Sequence, residues 1–466
     1  MRGHAVVIGA SMAGLIAART LSERFARVTV LDRDAVPGDI ANRRGVPQGW
    51  HGHGLLASGF GALQQLFPGL EQALVDAGAV PGDVIGDVRW FQHGYYKAKF
   101  QAGFRGILLS RPLLEGTLRQ MVRRLPNVMI ADQTHVTGLL ADVGGRRVTG
   151  VRIRSGAIES RIDGASLVVD ASGRASRSSA WLAQLGYSAP VEAAVDVGLG
   201  YMTRLFRRRP HDLAGDMGAI IAPNPPHQRR VGFMLAQEGD RWIVTLGGWL
   251  GDHAPSDPHG FEDFARSLAR PDIYEVIRTA EPLSDAVAYA FPSNLRRYYE
   301  RLTRFPEQYL VIGDAVCSFN PFYGQGMSVA ALEGVLFAKC LDSGPPETLS
   351  SRFYREARGI VDTPWMIAAG SDFAFPGVTG PKPAGTDLVN WYLRRVHRVA
   401  STDREVCRSF FDVANLLKPA TALFAPRIVG RVIKGSLSRS QTKAAGGGSR
   451  RGVSTSGLRR SREARS

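Results

Sequence analysis

HAVVIGASMAGLIAARTLSERFARVTVLD, residues 4 to 32, reads as strand, glycine turn, helix, strand. The strand covers His4–Ile8, the turn is GASMAG from Gly9 to Gly14, the helix runs over Ser11–Ser22, and the second strand ends at Asp32 after VTVL. Such a βαβ unit calls for a parallel sheet. Gly9 permits the tight bend and Gly14 the close packing of helix on strand. The helix N-terminus then presents free N–H groups and a partial positive charge to a pyrophosphate. Ser11 stands where the GxGxxG fingerprint has its middle glycine; its Cβ crowds a phosphate, and its hydroxyl is able to donate to one. Asp32 follows Gly14 by 18 residues. A carboxylate there suits the ribose hydroxyls of an adenosine, against the plainer reading of a strand-end acid in solvent. Arg33 is grouped with it.

Two later stretches extend the pattern. In VVDASGR, Val168 to Arg174, a buried strand ends abruptly in an acid and a glycine. Asp170 suits a loop beside a cofactor, and equally a turn or helix N-cap. In GDAVCSFNPFYGQGMS, Gly313 to Ser328, a strand delivers Asp314 beside a glycine, where it can accept from a sugar-like hydroxyl. Pro321 stiffens the loop, Gly324 and Gly326 let the backbone approach a planar ring, and a following helix points its N-terminus at that ring. Reduced flavin is anionic along one edge, which a helix N-terminus favours. The four signals, in this order, point to FAD.

The rest of the chain is consistent with that reading. Its 466 residues, 44% hydrophobic and 21% charged, suffice for two or three domains. Discontinuous segments 1–80, 106–178 and 286–343 form the cofactor domain. Segments 81–105 and 179–285, with alternating stretches such as RWIVTLGGW, form a substrate domain on a mostly antiparallel sheet. Residues 344–435 are helical, and 436–466 read as a disordered basic tail. From Arg431 onward ten Lys/Arg stand against one acid, so +9 of the net charge of +16 lies there. The tail reads as solvated, with no specific nucleic-acid partner. No run of 18 apolar residues exists, so no membrane span is expected. Cys317, Cys340 and Cys407 form no metal-ligand spacing and suit a reducing cytoplasm. His51 and His53 lack further metal ligands; their loop reads as lying over the flavin edge or as an exposed pair.

These stretches, together with RRGVPQGWHGHG and TDLVNWYLRRV, make the chain resemble the class A FAD-dependent monooxygenases with the para-hydroxybenzoate hydroxylase fold. It looks most like the actinobacterial polyene epoxidases of polyether antibiotic biosynthesis, the lasalocid and monensin type. The resemblance covers nearly all of residues 1–435. It implies a Rossmann-like α/β FAD domain with an inserted substrate domain and a C-terminal helical region. It further implies that Arg43 contacts the FAD phosphates or ribityl chain and that Arg111 contacts the flavin-side cofactor backbone. Val136 meets the adenine through its backbone, Asp314 takes the ribityl chain, and Pro321, Gly324, Gly326 and Met327 lie beside the isoalloxazine. DASGR departs from the DG fingerprint of hydroxylases that handle NADPH directly. NAD(P)H therefore supplies electrons either directly or through a separate flavin reductase.

The implied reaction is epoxidation of an apolar, polyketide-type alkene by O2. A flavin C4a-hydroperoxide carries the chemistry, so no protein residue is assigned as catalytic. Aromatic hydroxylation is the alternative, and a non-catalytic flavoprotein or a binding protein working through the tail is another. The substrate pocket is expected around Met202, Phe233, Trp242, Trp249 and Phe322, each of which reads equally as plain core.

Overall fold

The computed structural model describes residues 2–445, with side chains from residue 3 to residue 437. Five parallel strands make the first sheet: β1 (Arg2–Ile8), β2 (Phe25–Leu31), β3 (Val128–Ala131), β4 (Ala165–Asp170) and, late in the chain, Tyr309–Val311. Their order is Tyr309–Val311, β4, β1, β2, β3. The central strand is apolar on both faces, with Ala5, Val6 and Val7 fully buried, as a doubly covered parallel strand must be. Helix α1 (Met12–Ser22) follows β1, and α2 (Arg111–Arg123) precedes β3.

The second sheet has eight strands. Its centre is β5 (Glu192–Arg207), β6 (Arg230–Gln237), β7 (Arg241–Gly248) and β8 (Val287–Arg297), all antiparallel. Strand β8 corrects the sequence reading that gave residues 286–343 to the cofactor domain. VAYAFPSNLRR pairs along β5 as an inner strand of the second sheet.

Helix α3 (Gly326–Asp342) opens the final third of the chain. It packs on α1 at one close point. A Cβ on Gly334 would lie 2.2 Å from Ile16 Cγ2, so only glycine lets the two helices approach there. The N-terminal and the late glycine motifs are thus held together by their own helices. Helices α4 (Leu349–Asp372), α5 (Thr386–Val399), α6 (Arg404–Ala414) and α7 (Pro426–Ala445) complete the C-terminal region.

Helix α7 continues to Ala445, past the point at Ser436 where the sequence reads as disordered. Ile428 and Val432 are buried one turn apart on its inner face, and Lys443, Ala444 and Ala445 are good helix formers. The remainder of the basic tail, from Gly446, lies outside the described residues. Among the described residues no helix is long and apolar enough to cross a membrane. All three cysteines are buried and free.

Candidate active site

Four loops leave neighbouring parallel strands at their C-terminal ends: Gly9 after β1, Asp32 after β2, Ala171 after β4, and Gly313 after Tyr309–Val311. This edge is where parallel α/β sheets bind ligands. Gly9 has φ +101°, and a Cβ there would fall 2.6 Å from the Ala171 carbonyl. Gly313 has φ +65°, and a Cβ on it would meet Ala13 Cβ at 2.8 Å. The two glycine turns therefore share one cleft.

Asp32 is buried at the head of this cleft. Its carboxylate accepts from Ala10 N (2.8 Å), Asp34 N (3.0 Å) and Arg43 Nη1 (3.2 Å). The segment expected at the adenine runs alongside: Thr134 N donates to Asp32 O at 2.7 Å, and Val136 is buried two residues on. Arg33 is placed differently from its neighbour. It is exposed and pairs with Asp34, because β2 ends at Leu31 and the side chain after Asp32 turns to solvent.

The first turn of α1 is open. Ser11 is its N-cap residue yet makes no capping hydrogen bond. Its hydroxyl instead donates to Glu115 Oε2 at 2.8 Å, and Arg111 Nη2 lies 3.0 Å from it. Glu115, which the sequence reading missed, is the hub of a buried cluster. Arg43 and Arg111 donate to it at 3.1 and 3.0 Å, and Arg119 stands 3.7 Å away. Burial alone would raise the Glu115 carboxyl, but Arg111 and Arg43 outweigh it and hold it below the ordinary range. Three arginines against Glu115 and Asp32 leave positive charge beside an uncapped helix N-terminus. That combination fits the diphosphate of a dinucleotide.

Asp314 lies at the other end of the cleft, under Gly326, whose Cβ position is 3.5 Å from Asp314 Oδ1. Burial raises its carboxyl, opposed by Arg111 and Arg174. The Gly313 turn is held by a second residue the sequence reading missed. Glu333 of α3 accepts the Gly313 N–H at 2.7 Å, and burial lifts its carboxyl to about 7. Met327 is buried on the first turn of α3.

Of the two readings left open for Asp170, the structure selects the turn. Its carboxylate accepts from Ser172 N (2.9 Å), Ser176 Oγ (2.6 Å) and Ser178 Oγ, so it shapes its own loop.

Beside the cleft lies an apolar cavity of about 230 Å³. One wall is the loop Pro321–Gln325, facing the loop Gly52–Leu56. A Cβ at Gly324 would touch Gly54 Cα at 3.4 Å, and Leu56 N donates to Ser328 Oγ at 3.0 Å. Another wall is the second sheet, with Phe233, Leu235 and Ile220. The C-terminal helices close it with Ile367, Leu393, Phe410, Val413 and Leu423. The histidine loop is thus sandwiched between sheet and cofactor loop, with His51 buried and His53 half-buried. His51 Nδ1 hydrogen-bonds Thr203 Oγ1 at 2.8 Å, and burial lowers the ring to about 4. Burial, aided by Arg111, lowers His53 to about 3.

Of the five expected pocket residues, Phe233 and Phe322 line the cavity; Met202, Trp242 and Trp249 do not. For Met202 and Trp242 the reason is strand parity. On β5, β6 and β7 the paired residues Thr203, Phe233 and Thr245 share the face towards the His51 loop. Met202, Met234, Trp242 and Val244 take the opposite face, in a core under the helices Pro258–Arg266 and Asp272–Ile277. Trp249 supports the site from behind. Its indole donates to Asp372 Oδ1 at 2.9 Å, and its ring meets Phe322 edge-on at 5.3 Å. Asn320 also donates to Asp372, and its own Oδ1 accepts Phe322 N, so this network fixes the loop that carries Phe322.

Comparison with known proteins agrees with this geometry. Residues 3–343 match the family model described as FAD binding domain. Protein Rv3254 of Mycobacterium tuberculosis is 34% identical over 461 residues, covering 94% of each chain. Among solved structures, p-nitrophenol 4-monooxygenase PnpA from Pseudomonas putida superposes with TM-score 0.61 at 16% identity, over 89% of this chain and 99% of that one. A flavoprotein/dehydrogenase from Cytophaga hutchinsonii gives 0.64 at 14% identity, over 96% and 100%.

Proposed function

The chain belongs to the FAD-binding-domain family, and from that premise we propose that it is an FAD-dependent monooxygenase placing one oxygen atom from O2 on an apolar substrate, by epoxidation of a polyketide-type alkene. The observation that carries this is the junction of the cofactor cleft with an apolar cavity at the loop Pro321–Gln325. The Gly9–Gly14 turn with Ser11, Arg43 and Arg111 would hold the diphosphate, Asp32 the ribose and Asp314 the ribityl hydroxyls. Gly324, Gly326 and Met327 would lie against the ring. Bound FAD, reduced by NAD(P)H directly or through a separate reductase in the cytoplasm, supplies the activation of O2.

The chain's own residues position the substrate and keep water out. Phe233, Phe322, Leu393 and Phe410 supply an apolar lining. No strong base faces the cavity. Its acids Asp83 and Asp87 are occupied: Asp83 accepts five backbone N–H groups, from Ile85, Gly86, Ala102, Gly103 and Phe104, and Asp87 accepts from Asp83 N and Gln101. His53 is held neutral and weakly basic by burial. Hydroxylating a phenol calls for a base to ionise it; an alkene needs none, and this favours epoxidation over the aromatic alternative.

The test is incubation of flavin-loaded protein, NADH or NADPH, a trial reductase and a conjugated polyene under air. The expected product is the polyene plus one oxygen atom; hydrogen peroxide alone, with alkenes and phenols alike, would refute the proposal. A chain truncated after Ala445 should keep full turnover. A truncated protein that binds flavin normally but loses its activity would instead put function in the tail.

A further inference from the structure

A small polar side pocket of about 40 Å³ adjoins the apolar cavity. Phe322, Tyr323, Leu393 and His397 belong to the walls of both, so a molecule filling the cavity reaches the pocket beside the cofactor loop. His93 and Arg394 also line it. The rings of His93 and His397 lie 4.6 Å apart, and Nδ1 of each is buried with no hydrogen-bond partner. Behind them stands Lys97, itself only 5% exposed. Its Nζ donates to the His397 carbonyl at 3.3 Å and lies 5.6 Å from the centre of the Phe410 ring.

No carboxylate answers this group. The charged and titratable neighbours acting on Lys97, His93 and His397 are one another, Arg394 and Cys407. Asp372, next to Ser371 of the pocket wall, is turned away to Trp249, Asn294, Asn320 and Tyr323. Unpartnered ring nitrogens and a cation enclosed without an acid are costly in an apolar interior, and an anion arriving with the ligand offsets that cost by accepting from the ring tautomer that carries its proton on Nδ1. A metal ion would be repelled by Lys97 and Arg394, and no metal-binding cluster occurs among the described residues.

We propose that this side pocket is a carboxylate subsite, and that the substrate is an apolar chain ending in a carboxylate. The anion sits between Arg394, His93 and His397, with Lys97 adding charge from behind, while the chain extends along the cavity towards the Gly52–Leu56 loop. This rests on the monooxygenase reading for the word substrate, but the binding chemistry stands apart from turnover.

Calorimetry on flavin-loaded protein tests it with decanoic acid and methyl decanoate as probes. The acid is expected to bind at least about tenfold tighter than the ester, the size of a charge-assisted contact. In Arg394→Gln, where the replaced side chain is half-exposed and folding is least at risk, the preference should shrink to about twofold or less by the same contact's loss. Lys97→Met is the second variant and should narrow it too. Equal affinities in the wild type, failure of the acid to bind, or a preference that persists in both variants overturns the proposal. Protein that favours the acid yet oxidises nothing would sink only the monooxygenase reading. An oxygenase blind to the acid would sink only the subsite.

Discussion

Gly14→Ala should purify with little or no bound flavin and lose about 2–4 kcal/mol of stability, the range for a substitution forced against packed backbone. A Cβ built on Gly14 lies 1.7 Å from the Gly9 carbonyl oxygen and 3.7 Å from Val7 Cγ1. The oxygen belongs to backbone and cannot rotate aside as a side chain does. Relief requires moving the Gly9 peptide, and Gly9 is itself fixed by its N–H to Leu31 O at 2.7 Å and by Ala171 against its α-carbon. Moving it displaces the turn that would meet the diphosphate. Alanine is the better helix former by about 1 kcal/mol, so propensity pulls the other way and the clash must exceed it. Gly61→Ala isolates that term. Gly61 lies in the helix Ala57–Leu66 with nothing within 4 Å of its Cβ position. It should gain about 0.5–1 kcal/mol and keep its flavin. Flavin absorbance per mole of protein and thermal melts of both variants check the pair; equal flavin content in the two would remove the turn from the cofactor site.

How far such a site can be read from sequence depends on what signals it. The glycine turns are legible because their requirement is local: a positive φ at Gly9 and Gly313 and a missing side chain at Gly14 follow from sterics within a strand–turn–helix, whereas Gly334, which meets Ile16 of another helix, gives no such local signal. The four strand ends assemble because parallel βαβ units put their loops on one edge, which topology alone dictates. The walls of the cavity are a different matter. Whether Met202 or Thr203 faces the cofactor depends on sheet register, which one residue inverts, and the stretch GYMTRLFR is apolar enough on both faces to conceal it. Glu115 and Glu333 read as ordinary helix carboxylates. Only the spacing Arg111–Glu115–Arg119, one charge per turn along a helix that also carries Leu114 and Leu118, hints at a buried ionic stripe. Asp170 ends a strand and Asp314 follows one by three residues. What separates them is the serine-rich loop at residues 172–178, whose hydroxyls use up one carboxylate and have no counterpart beside the other.

Lys97→Met should stabilise the ligand-free protein, and by an amount that depends on pH. Burial lowers the Lys97 ammonium from its ordinary 10.5 to about 7, opposed only by the Cys407 thiol and by no carboxylate. Between those two values the unfolded chain binds a proton that the folded chain does not, so wild-type stability rises with pH across that window. Below about pH 7 both states are charged and the full cost of enclosing the ammonium stands, with a ceiling of about 5 kcal/mol by linkage. Methionine fills similar volume without charge, but it leaves the His397 carbonyl without its donor, a loss of about 1–2 kcal/mol. The variant should therefore exceed the wild type by about 3–4 kcal/mol at pH 6, with the margin falling to zero between about pH 9 and 10 and reversing slightly above. His93, His397 and Cys407 face Lys97, and all three are shifted outside this window by burial, so the difference between the two proteins isolates the lysine. Denaturant titrations at pH 6, 8 and 10 measure it. A bound carboxylate should bring the wild type level with the variant at pH 6, because an anion beside the cluster restores the ammonium's preference for its charged form. A margin that stays constant with pH would mean that Lys97 is solvated in the folded protein, and the positive field argued for the side pocket would go with it.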